Sequence, residues 1–252
     1  MYAALNGHEQ VARVLLEAGA VVGAQDNDGR TALMLAALNG LEQVARVLLE
    51  AGAVVGAQDI DGTTALMLAA SNGHEQVARV LLEAGAVVGA QDNAGRTALM
   101  LAARNGHEQV ALVLLQAGAV VDAQNNDGWT ALMIAALSGH EQGARVLLEA
   151  GAVVGAQRND GGTALMCAAE NGHKQFALVL LEAGAELLSA SVPSTATLIA
   201  GWSTVGVRVA DDAAPVKAFY EIELIAIGDA PQLGCGHRLR LLSERALPRA
   251  RV

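Results

Sequence analysis

The sequence predicts a mostly α-helical solenoid, a β-turn plus a helix pair every 33 residues, followed by a short β-rich C-terminal segment. Three observations predict it. The string Gly-His-Glu-Gln-Val-Ala-Arg-Val-Leu-Leu-Glu-Ala-Gly-Ala starts at Gly7, recurs unchanged from Gly73, and returns as close variants from Gly40, Gly106, Gly139 and Gly172. The composition is 53% apolar and only 2% aromatic, and residues 26–58 alone hold seven Ala in 33. Such a core favours closely packed helices and argues against a sandwich or barrel over most of the chain. After Ala190 the period stops and residues alternate in the manner of strands.

With Asp26 as the first position, full repeats run 26–58, 59–91, 92–124, 125–157 and 158–190, and a partial one fills 1–25. Asp-x-Asp-Gly at 26–29 and 59–62 is turn chemistry, with Gly supplying a positive φ. Thr31, Thr64, Thr97, Thr130 and Thr163 follow, each placed to cap a first helix of about two turns. Gly40, Gly73, Gly106, Gly139 and Gly172 suit its C-terminal left-handed stop. A second helix, such as Glu42 to Ala51, sets Val44, Val47 and Leu48 on one face and ends at Gly52. The remaining Ala-Val-Val-Gly-Ala-Gln is expected to be extended. One such pair cannot bury its own apolar face, so neighbouring pairs must stack.

The pattern Asp-x-Asp-Gly-x-Thr-Ala-Leu-Met-x-Ala-Ala-x-x-Gly-His, then Val-Leu-Leu-Glu-x-Gly-Ala, resembles the ankyrin repeat over residues 1–190. The resemblance implies a protein-interaction module with a concave binding face. It has departures. The family's Thr-Pro-Leu-His stands here as Thr-Ala-Leu-Met in all five full repeats. The missing Pro leaves the helix start less rigid, and Met fills the space of a His that would bond from turn to helix. The Asn usual before the next turn is Gly at Gly23, Gly56, Gly89 and Gly155, and Asp at Asp122. A somewhat softer solenoid is expected.

Residues 191–197, with Pro193, read as a linker. Val205, Val207 and Val209 then alternate with Gly206 and Arg208, and Phe219 to Ile225 form a second alternating run. Gly201-Trp202, Ala218-Phe219-Tyr220-Glu221-Ile222-Glu223-Leu224 and Gln232-Leu233-Gly234 make residues 198–236 similar to the opening strands of a SPRY domain, a partial one. A small β-hairpin extension capping the last repeat is the alternative. Residues 237–252 are Arg-rich and unpatterned, a basic tail expected to be disordered. Met1 falls in register with Met34, Met67, Met100, Met133 and Met166, inside a first helix, so the array is expected to extend upstream; a genuine start with a frayed repeat is the alternative.

Little points to catalysis, a cofactor or a metal. His8, His74, His107, His140 and His173 share one repeat position, with Leu41 in the second repeat, and are expected to close the turn by hydrogen bonding. Ala78 stands where a zincin would need its second His after His74. Cys235 and His237 lack companion ligands, and Cys167 takes a Leu position and reads as a buried thiol. Two Cys make no disulfide framework, there is no signal peptide, and no uninterrupted apolar stretch spans a membrane. A reducing compartment, cytoplasmic or nuclear, is expected. Residues 1–190 carry 9 basic and 20 acidic residues, net −11, and residues 191–252 carry 7 and 6, net +1. An acidic array repels nucleic acid, so the expected partner is a protein, with neither nucleic acid nor membrane bound and the chain a monomer.

The repeat shows where a partner would bind, because some positions vary. The fifth reads Arg30, Thr63, Arg96, Trp129, Gly162; the thirteenth Leu38, Ser71, Arg104, Leu137, Glu170; the second Asn27, Ile60, Asn93, Asn126, Asn159. Turn tips and the outward side of the first helix share one surface of such a stack. The expected partner-binding residues are Arg30, Ile60, Thr63, Ser71, Arg96, Arg104, Trp129, Leu137 and Glu170, with Trp129 on an exposed turn as the leading anchor. The alternatives are drift among recent duplications, a substrate-recruiting regulatory subunit, and a fragment of a larger ankyrin-SPRY, ligase or channel protein.

Overall fold

The computed structural model describes residues 1–185. The expected linker, SPRY-like segment and basic tail lie outside the described residues, as does the end of the repeat 158–190.

Helices come in pairs. The first helices are α1 (Tyr2–Leu5), α3 (Ala32–Leu38), α5 (Ala65–Ser71), α7 (Ala98–Asn105), α9 (Ala131–Ser138) and α11 (Ala164–Glu170). The second helices are α2 (Glu9–Glu17), α4 (Glu42–Glu50), α6 (Glu75–Glu83), α8 (Glu108–Gln116), α10 (Glu141–Glu149) and α12 (Lys174–Glu182). First helices pack on first helices and second on second, so the described chain is a two-layer solenoid. Each first helix starts on its threonine. The hydroxyls of Thr31, Thr64, Thr97, Thr130 and Thr163 accept from the backbone N–H of Met34, Met67, Met100, Met133 and Met166 at 3.3–3.4 Å. Substituting such a cap by Ala typically costs about 1 kcal/mol.

The core consists of thin layers. Met34, Met67, Met100 and Met133 are at most 1% exposed, and Ala36, Ala37, Ala69 and Ala70 are 0% exposed. Met therefore occupies the space expected of it. Small Ala side chains let neighbouring first helices approach closely, which explains the near absence of rings. Phe176 is the exception, fully buried in α12. Second helices bury Val44, Val47 and Leu48, and likewise Val77, Val80 and Leu81. In the first repeat the matching Val11, Val14 and Leu15 are 50%, 61% and 47% exposed, because no layer covers them.

The turns follow from an Asx bond. Asp26 Oδ1 accepts from the N–H of Asp28 and Arg30, at 3.0 and 2.8 Å, and Asp59, Asp92 and Asn125 do the same in their repeats. The segment after the second helix differs from the extended form expected. The Ala57 N–H donates to the Val54 carbonyl at 3.3 Å, closing a turn, and Ala24, Ala90, Ala123 and Ala156 repeat it. Val54 and Gly56 face solvent there while Val55 and Ala57 pack against the core, and the chain turns between them. Among the described residues, pairing of strand type is confined to the isolated bridges Gln25 to Thr31 and Gln58 to Thr64.

Side chains also bond from one repeat to the next. Gln25, Gln58, Gln91 and Gln124 each donate Nε2 to the carbonyl of the glutamine 33 residues on, at 3.0–3.4 Å. Asn93, Asn126 and Asn159 donate Nδ2 to the carbonyls of Ile60, Asn93 and Asn126 at 3.0–3.1 Å. The histidines, expected to help close the turn by hydrogen bonding, bond across repeats in the same way. His74, His107, His140 and His173 reach through Nε2 to the carbonyls of Leu38, Ser71, Arg104 and Leu137, 36 residues back, at 3.0–3.1 Å. Each ring lies against the glycine that ends the previous first helix: a Cβ on Gly40 would sit 2.6 Å from His74 Nδ1. With φ at +70°, Gly40 is required on both counts.

Candidate functional site

The variable positions have a common backbone environment. At the fifth position, the N–H of Arg30, Thr63, Arg96 and Trp129 is bonded to an Asx side chain, and the carbonyl accepts from the first residue of the repeat. At the thirteenth, the carbonyls of Leu38, Ser71, Arg104 and Leu137 accept from the histidine rings. The backbone is fixed in both places, and the bonds that fix it make no use of the residue's own side chain. The side chains at these positions are therefore presented on a fixed backbone. Position two is different, since its Asn side chains form the rungs described above. Ile60 departs from that pattern and is 65% exposed.

Two adjoining hollows gather six of the nine expected residues. One, about 290 Å³, is lined by Thr63, Ser71, Arg96 and Arg104 together with Met67, Leu68 and Asp92. The other, about 350 Å³, is lined by Arg30, Ile60 and Thr63 with Leu38, Leu68, Asp59 and Asp61. Thr63 and Leu68 border both. Trp129, Leu137 and Glu170 line neither. Sequence reasoning did not name Leu68, Asp59 or Asp61 as lining residues, because they stand at the tenth, first and third positions of the repeat, outside the second, fifth and thirteenth that pointed to a face.

Charges in the hollows are partly paired. Asp92 is nearly fully buried, and its Oδ2 takes Arg96 Nε at 2.6 Å. Arg96 is thus tied down, and removing it would leave a buried carboxylate with one fewer donor. Arg30 pairs with Asp28. Arg104 is exposed and makes no ion pair among the described residues.

Trp129 is not on a fully exposed turn. It is half-buried and packs against the core cluster, with the Arg158 guanidinium 4.6 Å from its ring centroid. Arg158 stands where the other full repeats have Asp or Asn, and it pairs with Asp160. The Gly162 N–H donates to Asp160 Oδ1 at 3.0 Å, and this bond, with the Arg158 guanidinium beside it, holds the Asp160 carboxyl below the usual carboxylate range. A Cβ at Gly162 would fall 2.2 Å from Arg158 Nε, so a larger residue there would displace the arginine side chain.

Among the described residues no group of three or more His, Cys, Asp or Glu is placed to hold a metal ion, and no helix is long and apolar enough to cross a membrane. Cys167 is a free, buried thiol, and burial pushes it up to about 11.

A stack of helix pairs presenting variable side chains on a constant frame defines a helical-repeat protein. The family model for ankyrin repeats (3 copies) matches residues 1–59, 52–125 and 117–190, and the chain belongs to the ankyrin repeat family. Ankyrin repeats are in general protein–protein interaction modules. No curated protein matches the sequence.

Proposed function

We propose that the chain is a non-catalytic scaffold that binds a protein partner on the face formed by the turn tips and first helices. The observation that carries this is the convergence of Arg30, Ile60, Thr63, Ser71, Arg96 and Arg104 on two adjoining hollows. A preformed face loses little conformational entropy on binding. Ile60 offers an exposed apolar contact beside Asp59 and Asp61, and Arg104 an exposed guanidinium. Trp129, Leu137 and Glu170 extend the face toward the last repeat. The acidic repeat region favours partners with basic patches over nucleic acid. The buried free thiol of Cys167 fits a reducing compartment, cytoplasmic or nuclear.

The test is affinity capture with immobilised full chain, comparing wild type with an Ile60→Ser, Arg104→Glu variant. Both side chains are exposed, so the fold should be kept, which thermal melting checks. Proteins retained by wild type and lost by the variant support the reading. An unchanged set of captured proteins refutes it.

A further inference from the structure

We propose that the two adjoining hollows recognise one extended protein segment, which carries a basic and an acidic side chain three residues apart with an aliphatic residue between them. This rests on the scaffold reading and specifies its partner. The hollows differ in charge. Asp28, Arg30, Asp59 and Asp61 line one, net −2, and Asp92, Arg96 and Arg104 line the other, net +1. Each is built from two consecutive repeats, and the basic hollow lies one repeat further along the array than the acidic one.

In the basic hollow, donors are left over. The Asp92 carboxylate is fully occupied: Arg96 Nε holds its Oδ2 at 2.6 Å, and its Oδ1 accepts the N–H of Ala94 and Arg96. Arg104 makes no ion pair among the described residues. In the same hollow the Ser71 hydroxyl oxygen accepts from Asn105 Nδ2 at 3.1 Å, which leaves the hydroxyl proton to donate. A guanidinium and a hydroxyl together suit a carboxylate. In the acidic hollow, acceptors are left over. Arg30 is paired with Asp28, and Asp59 Oδ1 accepts two backbone N–H groups. The Asp61 side chain is exposed and makes no ion pair among the described residues. A cation entering there meets the Asp61 carboxylate with Asp59 beside it. Thr63 and Leu68 form the wall shared by the hollows, and Ile60 stands exposed in the acidic one, so an aliphatic side chain finds apolar surface between the two charges.

The stack sets the spacing. First helices pack on first helices, and packed helices lie about 8–10 Å apart, so the hollows are separated by about that distance. A segment in the polyproline II form rises about 3.1 Å per residue with three residues per turn, which puts side chains i and i+3 on one side about 9 Å apart. A β-strand offers about 7 or 13 Å on one face, and neither matches. Opposite charges at i and i+3 therefore reach both hollows. A polyanion such as RNA is repelled by the acidic hollow.

Selection of displayed random peptides on immobilised full chain tests the proposal. Retained peptides should share a Lys or Arg and an Asp or Glu three residues apart. A synthetic peptide of that consensus is then titrated against wild type, Arg104→Glu and Asp61→Lys by fluorescence anisotropy at low salt. Each variant should weaken binding about tenfold. A peptide with its acidic residue changed to Lys should bind Arg104→Glu as tightly as the consensus binds wild type, and one with its basic residue changed to Glu should do so with Asp61→Lys. A folding defect gives no such rescue. Retained peptides that lack the pair, a pair spaced as on a helix face, no retention above the unselected library, or a charge swap that fails at either hollow overturns the proposal. So does a mass that rises with concentration in wild type and not in Arg104→Glu, which would assign the face to a second copy. Proteins captured by wild type and lost by the Ile60→Ser, Arg104→Glu variant, with no charge pairing among the peptides, leave the scaffold reading standing and remove this one. An unchanged set of captured proteins refutes the scaffold reading itself.

Discussion

The guanidinium of Arg158 lies over the indole of Trp129, 4.6 Å from its ring centroid, and joins the last two full repeats. An exposed cation–π contact contributes about 0.5–1 kcal/mol. Arg158→Ala should therefore lower stability by about 1 kcal/mol and shift the Trp129 emission. Urea unfolding and fluorescence in a Trp202→Phe background check both. Trp129→Ala should cost more, about 2 kcal/mol, because the ring also packs on the core. It is accordingly a poor probe of partner binding, and Ile60 and Arg104 are better ones.

Glycines that end first helices fall into two kinds. Gly106 has φ of +71°, and a Cβ there would meet His140 Nδ1 at 2.6 Å; Gly172 has the same φ with nothing within 4 Å. Gly172→Ala should cost about 1 kcal/mol, from backbone strain alone. Gly106→Ala should cost clearly more, since the ring must also leave its bond to the Arg104 carbonyl. Parallel urea titrations of the two variants check the difference.

Asp122 does for one repeat junction what Gly cannot do elsewhere. Its carboxylate accepts the Val153 N–H. Gly56 and Gly89 lack that acceptor, have open space where a Cβ would go, and carry no positive φ. Gly89→Asn should supply the bond and stabilise the array by about 0.5–1 kcal/mol, while Asp122→Ala should destabilise by a similar amount. Thermal melts of the two variants should move in opposite directions.

Cys167 supplies a pH prediction. Its thiol is raised from the ordinary 9.0 to about 11, chiefly by burial. The unfolded chain loses this proton at a lower pH than the folded one does. Stability is therefore intact below about pH 9 and falls as pH rises from 9 toward 11. In a Cys235→Ser background, Cys167→Ala should flatten that part of the stability profile. A thiol reagent at neutral pH should label Cys167 only on unfolding.

Much of the fold was legible because the repeat displays its own constraints. The turn aspartates, the capping threonines and the stop glycines each have a local chemical reason, and local reasons can be read from one repeat. The histidines read as hydrogen-bonding groups without a named partner, because a bond reaching 36 residues back is invisible in a single unit. The segment Val54 to Ala57 was read as extended, and it turns instead, with Val54 outward and Val55 against the core. For the candidate site, variability pointed to the turn tips and first helices. It could not separate Ile60, which is exposed, from Trp129, whose ring is half-buried beneath Arg158. That distinction depends on the arginine one repeat away.

The glutamine rungs have a consequence for how such a chain changes length. Each rung joins a glutamine side chain to the carbonyl of an identical residue 33 positions on. Excising residues 59–91 would bring Gln58 against the carbonyl of Gln124, the bond that Gln91 now makes. A whole unit can thus be lost or copied without an unpaired rung at the new joint. The array behaves as interchangeable modules, tolerant of gene slippage in steps of one repeat and intolerant of any smaller step.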